Sequence, residues 1–274
     1  MKPKTPGLWY GAMRVFDVSL AEMLWSRRTV FMALVVGLPV LLSVVVRGLV
    51  ELGAPIRAMG GAASGPVVFG LMIWVFFIRF SVPVLAVFYG TSLIADEVED
   101  KTITYLFSRP IPRGAVLLGK YVAYLVCTVF VVLPAIVLVW LLVVPIEGSL
   151  GAGFTGLLTD LGLVALGLTV YGALFALAGA VLKRPLLIGL IFVFGWENFV
   201  LLLPGSLKYF SVAYYLQGLV PHTMPGGTAM SLIQSIVRDV PSLAESLVYL
   251  GLIEALCLWL AMRAVTNREY VLEQ

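Results

Sequence analysis

The chain has 274 residues, 61% of them hydrophobic and 12% charged, with a formal charge of +3. An ordinary soluble domain is about 45–50% apolar and about 25% charged, so this composition excludes a water-soluble globule and predicts a membrane protein. The small net charge, with no basic run that interleaves aromatics, argues against a nucleic-acid binder, and the lone His222 excludes a zinc site built on several histidines and disfavours a Ser-His-Asp triad.

A bilayer core about 30 Å thick takes about 20 apolar residues as a helix, and six segments qualify: residues 29–49, 67–91, 121–144, 161–182, 186–203 and 246–265. In lipid every backbone polar group must be satisfied within its own segment. The expected fold is therefore an all-α membrane protein, six transmembrane helices in one transmembrane domain spanning residues 1–274. Pro39, Pro83 and Pro134 fall inside spans and predict local kinks. Cys127 and Cys257 lie in apolar runs and read as small buried hydrophobes.

Ahead of the first span, LWYGAMRVFDVSLAEMLWSRR (residues 8–28) sets Phe16, Leu20, Met23 and Leu24 on one helical face, with Arg14, Asp17 and Glu22 elsewhere. That pattern predicts an amphipathic N-terminal interfacial helix. The apolar run behind it is of spanning length with no A-x-A site close by, so the amino terminus is expected to stay attached. Residues 50–66 and 145–160 read as outer loops, 183–185 (KRP) as a tight inner turn, and 206–219 (SLKYFSVAYYLQGL) as a short outer interfacial helix before the sixth span. His222 sits in PHTMPGGT and reads as loop. SLAE (residues 242–245) is a capping-box pattern that starts the last span at Ser242.

Of 18 Lys and Arg, Arg79 lies within a span and only Arg47, Arg57, Lys208 and Arg238 fall on the side opposite the amino terminus. The rest share its side, and the positive-inside rule places both termini in the cytoplasm.

Two features of the second inner loop stand out. GAVLLGKY (residues 114–121) comes within one residue of a phosphate-binding P-loop, with Gly114, Gly119 and Lys120 at the required spacing. Tyr121 replaces the Ser or Thr that would hold Mg²⁺, and the stretch enters a membrane helix with no strand before it. Lys120 and Tyr121 are accordingly read as interfacial anchors, the lysine snorkelling and the tyrosine in the aromatic belt. Just before it, Asp96, Glu97, Glu99 and Asp100 followed by Lys101 put acids in the early turns of a cytoplasmic helix, Ile103, Leu106 and Phe107 add an apolar stripe, and Pro110 and Pro112 end it.

The run from Gly90 through Glu97, Glu99, Thr102, Leu106, Pro110 and Arg113 to Lys120 resembles the inner loop of the membrane subunits of ABC-2 type transporters, whose pattern there is E-x-E-x-x-T, then L-x-x-P, then a basic residue before a lysine. Six spans, the amphipathic first helix and the aromatic outer segment also match, over essentially the whole chain. The resemblance implies a permease subunit of an ATP-binding-cassette exporter in the cytoplasmic membrane of a prokaryote. Its partners would be a second permease half, identical or not, and two copies of a cytoplasmic ABC ATPase subunit that binds ATP and Mg²⁺, with no cofactor on this chain. Residues 92–108 then look like the coupling helix between spans 2 and 3, with Asp96, Glu97, Glu99, Asp100, Lys101, Thr102, Tyr105, Leu106 and Arg109 as its contacts to the ATPase.

Arg79, Glu197 and Glu254 fall inside spans, where an ionised group costs at least about 2.5–3.5 kcal/mol unless paired or hydrated. Their depths allow Arg79 to pair with Glu254 or Glu197, with Asn198 as a neighbour. Two other function classes are a six-span membrane enzyme using Glu197, Glu254 and Arg79 in acid–base work, and a scaffold that recruits a cytoplasmic partner.

Overall fold

The structure, a computed structural model, describes residues 8–53, 57–58, 61–62, 64–99, 112–146, 148–200, 206–220 and 241–267. Among these it is helical apart from one antiparallel two-residue pair, β1 (Arg57–Ala58) with β2 (Gly61–Ala62). The helices are α1 (Leu8–Leu24), α2 (Arg27–Glu51), α3 (Gly65–Val98), α4 (Arg113–Val143), α5 (Leu150–Val181), α6 (Pro185–Phe199), α7 (Val212–Gln217) and α8 (Leu243–Asn267). A 3-10 turn, Ser206–Phe210, precedes α7.

Five of these, α2, α3, α4, α5 and α8, are long and apolar enough to cross a membrane, with mean hydropathy between 1.7 and 2.9 over their most apolar windows. The expected fifth span is the exception: α6 is a shorter apolar helix. α5 also departs from expectation. It begins at Leu150 rather than near 161, so most of the stretch read as an outer loop is helix, and Asp160 is fully buried inside it. Gly, Thr and Asp depress the hydropathy of those turns, but their leucines recur at helical spacing and can pack.

The helix directions follow from contacts at their ends. The start of α3 is tied to the end of α4 by the Gly65 N–H donating to the Ile146 carbonyl (2.8 Å). At the other end of the bundle Arg113, opening α4, donates to the Thr266 carbonyl near the end of α8 (3.4 Å). That end also carries Arg28, Lys120, Lys183 and Arg184 and is called inner below. α3 and α5 form the middle, with 67% and 56% of their apolar windows buried, whereas α2 and α8 are peripheral at 28% and 22%. Leu34, Leu41 and Val45 on α2, and Leu252, Leu256 and Trp259 on α8, are exposed as lipid-facing side chains should be.

Two glycines allow close backbone crossings. A Cβ on Gly179 of α5 would run into the Thr91 carbonyl of α3, and one on Gly119 of α4 would run into the Ala12 carbonyl of α1. Without a hydrophobic drive between helices in lipid, such backbone approach is a main source of packing. α1 lies along α4 through its buried Gly11, Ala12 and Ser19, with Leu20 and Met23 against the core.

α3 is irregular. Ile73–Ser81 and Ala86–Gly90 are π-helical, separated by one α-helical turn that contains Pro83. Proline has no N–H to donate to the residue four back, here Arg79. The ladder around it widens instead, as where the Val82 N–H reaches back five residues to the Phe77 carbonyl. Pro39 and Pro134 sit inside continuous α-helix, Cys127 and Cys257 are buried free thiols, and the segment around His222 lies outside the described residues.

Replacing Gly179 by Val should destabilise the protein by about 1–3 kcal/mol, the usual range for overpacking, and lower its melting temperature in detergent. Gly251→Ala on α8, where a Cβ meets nothing within 4 Å, should be neutral or slightly stabilising.

Candidate functional site

The polar side chains of the bundle gather at the inner end and at two places within the membrane-spanning region. At the inner end, α4 starts as early as Arg113, with the Ala115 N–H already donating to the Pro112 carbonyl (2.8 Å). The P-loop-like stretch is thus the first two turns of a helix. Lys120 lies inside that helix, 8% exposed, and its ammonium pairs with the carboxylate of Glu97 at the end of α3. The reading of Lys120 as a snorkelling anchor is therefore corrected, because its ammonium is shielded within the bundle by the pair with Glu97 instead of reaching out to water. Tyr121 is corrected likewise: it is buried, and its hydroxyl donates to the Thr169 carbonyl of α5 (2.8 Å).

Asp96 pairs with Arg28 at the start of α2. Both partners of that bridge are more than a third exposed, which limits it to about 1 kcal/mol or less. Glu97 and Lys120 are mostly shielded, and removing one partner leaves a buried charge without compensation. Asp96 and Glu97 thus join the end of α3 to α2 and α4. The backbone of Glu99 continues the helix, whereas Asp100, Lys101, Thr102, Tyr105, Leu106 and Arg109, together with Ile103, Phe107 and Pro110, lie outside the described residues.

Deeper in, α6 passes through a π-helical stretch, Phe192–Trp196, that ends at Glu197, whose N–H reaches back to the Phe192 carbonyl. The Glu197 carboxylate, 3% exposed, accepts from Ser211 Oγ (2.5 Å), the Val212 N–H (3.1 Å) and the Ala213 N–H (3.2 Å). It caps the amino terminus of α7, where the first-turn N–H groups have no helical partner and the dipole favours an anion. Ser211 is the N-cap itself and accepts from the Tyr214 N–H (3.3 Å). α7 is buried along Val212–Leu216, and Leu216 reaches Gly167 of α5 near Val82 of α3, so this short helix dips into the bundle.

The expected ion pair of Arg79 with a glutamate is not formed. Arg79 does meet Glu197, but its guanidinium donates to the backbone carbonyl (3.4 Å) and lies over the Trp74 ring, 5.6 Å from its centroid. Asn198 bonds its own helix, donating to the carbonyls of Val193 (3.1 Å) and Phe194 (3.4 Å). Glu254 is elsewhere, its carboxylate 3.3 Å from Tyr121 Oη and 3.2 Å from Thr169 Oγ1. Depth along each helix is countable from sequence; the direction a side chain points around the helix axis, which decides these partners, is not.

A sequence model described as "ABC-2 family transporter protein" matches residues 15–264, a range that includes the paired inner end and Arg79, Glu197 and Glu254. The chain belongs to the ABC-2 transporter family. Among curated proteins none matches it. As an ABC-2 protein it is a multi-pass membrane protein and a transport permease subunit, not itself the catalyst, and membership implies an ABC ATPase partner.

Sequence reasoning about this ABC-2 chain passed over Ser211, Thr169 and Asp160. Ser211 had a legible signal, an N-cap residue ahead of VAYYLQ. Thr169 had none, since one threonine in an apolar helix is ordinary. The cap gives a direct test: Glu197→Ala should speed hydrogen exchange at the Val212 and Ala213 amides about tenfold or more, a loss of about 1–2 kcal/mol of capping. Amides in the middle of α4 should be unaffected.

Proposed function

We propose that this permease subunit exports its substrate across a prokaryotic cytoplasmic membrane, working with a second permease half and two ABC ATPase subunits that bind ATP and Mg²⁺. Both termini would be cytoplasmic and the chain would cross six times. The direction of α8 supports the sixth crossing. α5 ends at the inner end, α6 starts there after a short turn, and α8 must begin at the outer end because its Thr266 meets Arg113. α6 and the residues after it therefore have to traverse the bundle. On this reading α1 lies in the inner interface, and its exposed Trp9, Tyr10, Met13 and Val18 sit at the headgroup level.

The observation that carries the coupling role is the pair of inner salt bridges. Asp96 and Glu97 immediately precede the charged loop proposed to meet the ATPase, and they grip Arg28 of α2 and Lys120 of α4. A displacement of that loop would be delivered to three helices at once through a continuous chain of packed and ion-paired side chains. The acids closest to the span thus serve as the internal end of the lever, and Glu99, Asp100, Lys101, Thr102, Tyr105, Leu106 and Arg109 as its outward contacts. The membrane-enzyme alternative loses support, since Arg79 and Glu254 do not converge and the Glu197 carboxylate is committed to the α7 cap.

Purified with its cytoplasmic partners in detergent, the tagged protein should bring down a P-loop ATPase and raise its turnover. Glu97→Lys should abolish that stimulation, and the exchange Glu97→Lys with Lys120→Glu should restore at least part of it. Absence of any co-purifying ATPase would overturn the transport-coupling reading and favour a scaffold.

A further inference from the structure

Two neighbouring features of α6 belong to none of the contacts described above. The first is a pair of basic residues at its inner end. Lys183 and Arg184, in the turn between α5 and α6, are both exposed, and among the described residues neither takes part in an ion pair. The inner-end acids Asp96 and Glu97 hold Arg28 and Lys120 instead.

The second is an open groove of about 750 Å³ along α6, whose lining among the described residues includes Ile188, Ile191, Phe194, Gly195 and Phe199. Ile191, Phe194 and Phe199 are exposed, so the groove opens away from the bundle. Gly195 supplies no side chain to fill it, and a Cβ there meets nothing within 4 Å. The polar groups along it are already engaged: Trp196 Nε1 donates to the Phe210 carbonyl (3.5 Å), and the Asn198 amide to the carbonyls of Val193 and Phe194. The groove therefore suits hydrocarbon and not a hydrogen-bonding ligand.

Spacing ties the two features together. At 1.5 Å per residue the groove starts at Ile188, about 6 Å beyond Arg184, and runs to Phe199, about 16 Å further. One leaflet of a bilayer core is about 15 Å thick. The groove thus has the length of one acyl chain, with two positive charges where the phosphate of the same lipid would lie. Lys and Arg near a membrane surface attract anionic lipids, and a guanidinium can hold a phosphate through two parallel N–H bonds.

We infer that the inner end of α6 binds one anionic phospholipid, its phosphate held by Lys183 and Arg184 and one acyl chain laid along the groove from Ile188 to Phe199. The match to one leaflet and the charge at one end favour a lipid over a second copy of this chain, whose identical face would bring the same cations together. The inference rests on α6 lying in the bilayer, not on export or on the ATPase, so its failure leaves the co-purification result untouched.

The full chain in detergent, titrated with phosphatidylglycerol, phosphatidylethanolamine or phosphatidylcholine of the same acyl chains and read by native mass spectrometry, tests it. One phosphatidylglycerol should be retained at about tenfold lower lipid concentration than either zwitterionic lipid. Lys183→Gln with Arg184→Gln should erase that preference. Gly195→Leu, which puts a side chain into the groove, should weaken all three lipids about tenfold. These positions are exposed, and both variants should keep the parent melting temperature. Glycerol phosphate, which carries the headgroup charge and no acyl chain, should not compete. Equal retention of the three lipids, retention unchanged in either variant, displacement by glycerol phosphate, or a disulfide between copies of an Ile191→Cys variant in place of bound lipid overturns the proposal.

Discussion

A polar side chain carried into hydrocarbon has no water to fall back on, so its partners must come from neighbouring helices, and in this protein one turn of α4 meets that demand in three directions. Gly119, Lys120 and Tyr121 point about 100° apart around the axis. Gly119 lets α1 lie backbone against backbone at Ala12. Lys120 reaches Glu97 of α3, and Tyr121 reaches Thr169 of α5 and Glu254 of α8. The inner half of the bundle depends on this turn, because α1, α3, α5 and α8 all take their position against α4 from it. A side chain in place of Gly119 would lift α1 from α4, and loss of Lys120 would strand Glu97 in a shielded site.

The outer half is organised by one anion. Glu197 has four neighbours that hold it: Ser211, two amides of α7, and Arg79, which approaches its backbone. The cap makes it possible for α7, only six residues long, to be buried at all. An isolated helix of that length does not persist in water, and its first-turn N–H groups would be orphaned in an apolar setting. The carboxylate in turn is held by donors that would themselves be costly to bury unpaired. Each half of the arrangement is unfavourable alone and stable together.

Much of this was legible from residue order. Apolar run length marked six spans, of which five are helices long enough to cross and the fifth in order is the shorter α6, and SLAE marked the start of α8, where the Ser242 N–H donates to Glu245 and the Glu245 N–H to Ser242 Oγ. The inner loop pattern pointed to the family that the match over residues 15–264 then showed. Two kinds of information were hidden. A helix end that overruns the apolar stretch moved Asp160 from a loop to the core, because hydropathy averages mark where lipid is and not where the hydrogen-bond ladder stops. Azimuth was hidden as well. Arg79 and Glu254 sit at compatible depths yet take different partners, since π-helical turns shift the facing of every residue beyond them and only Pro83 hints at those turns.

α3 combines two properties that rarely go together: it is the most buried of the spans and the least regular. Burial makes it the element against which α2, α4 and α5 are placed, and its inner end carries the Asp96 and Glu97 pairs. Its π-helical stretches mean that part of its ladder already uses the longer five-residue bond, so adding or losing one such turn changes its facing without first breaking a perfect helix. Arg79 lies in one stretch and Tyr89 in the other, with Pro83 between. In the transport reading, a pull on Glu97 would therefore be absorbed as a change of rotation along α3 more readily than as a rigid shift. That rotation would reach Arg79, and through it the backbone of Glu197 and the cap of α7 at the opposite end.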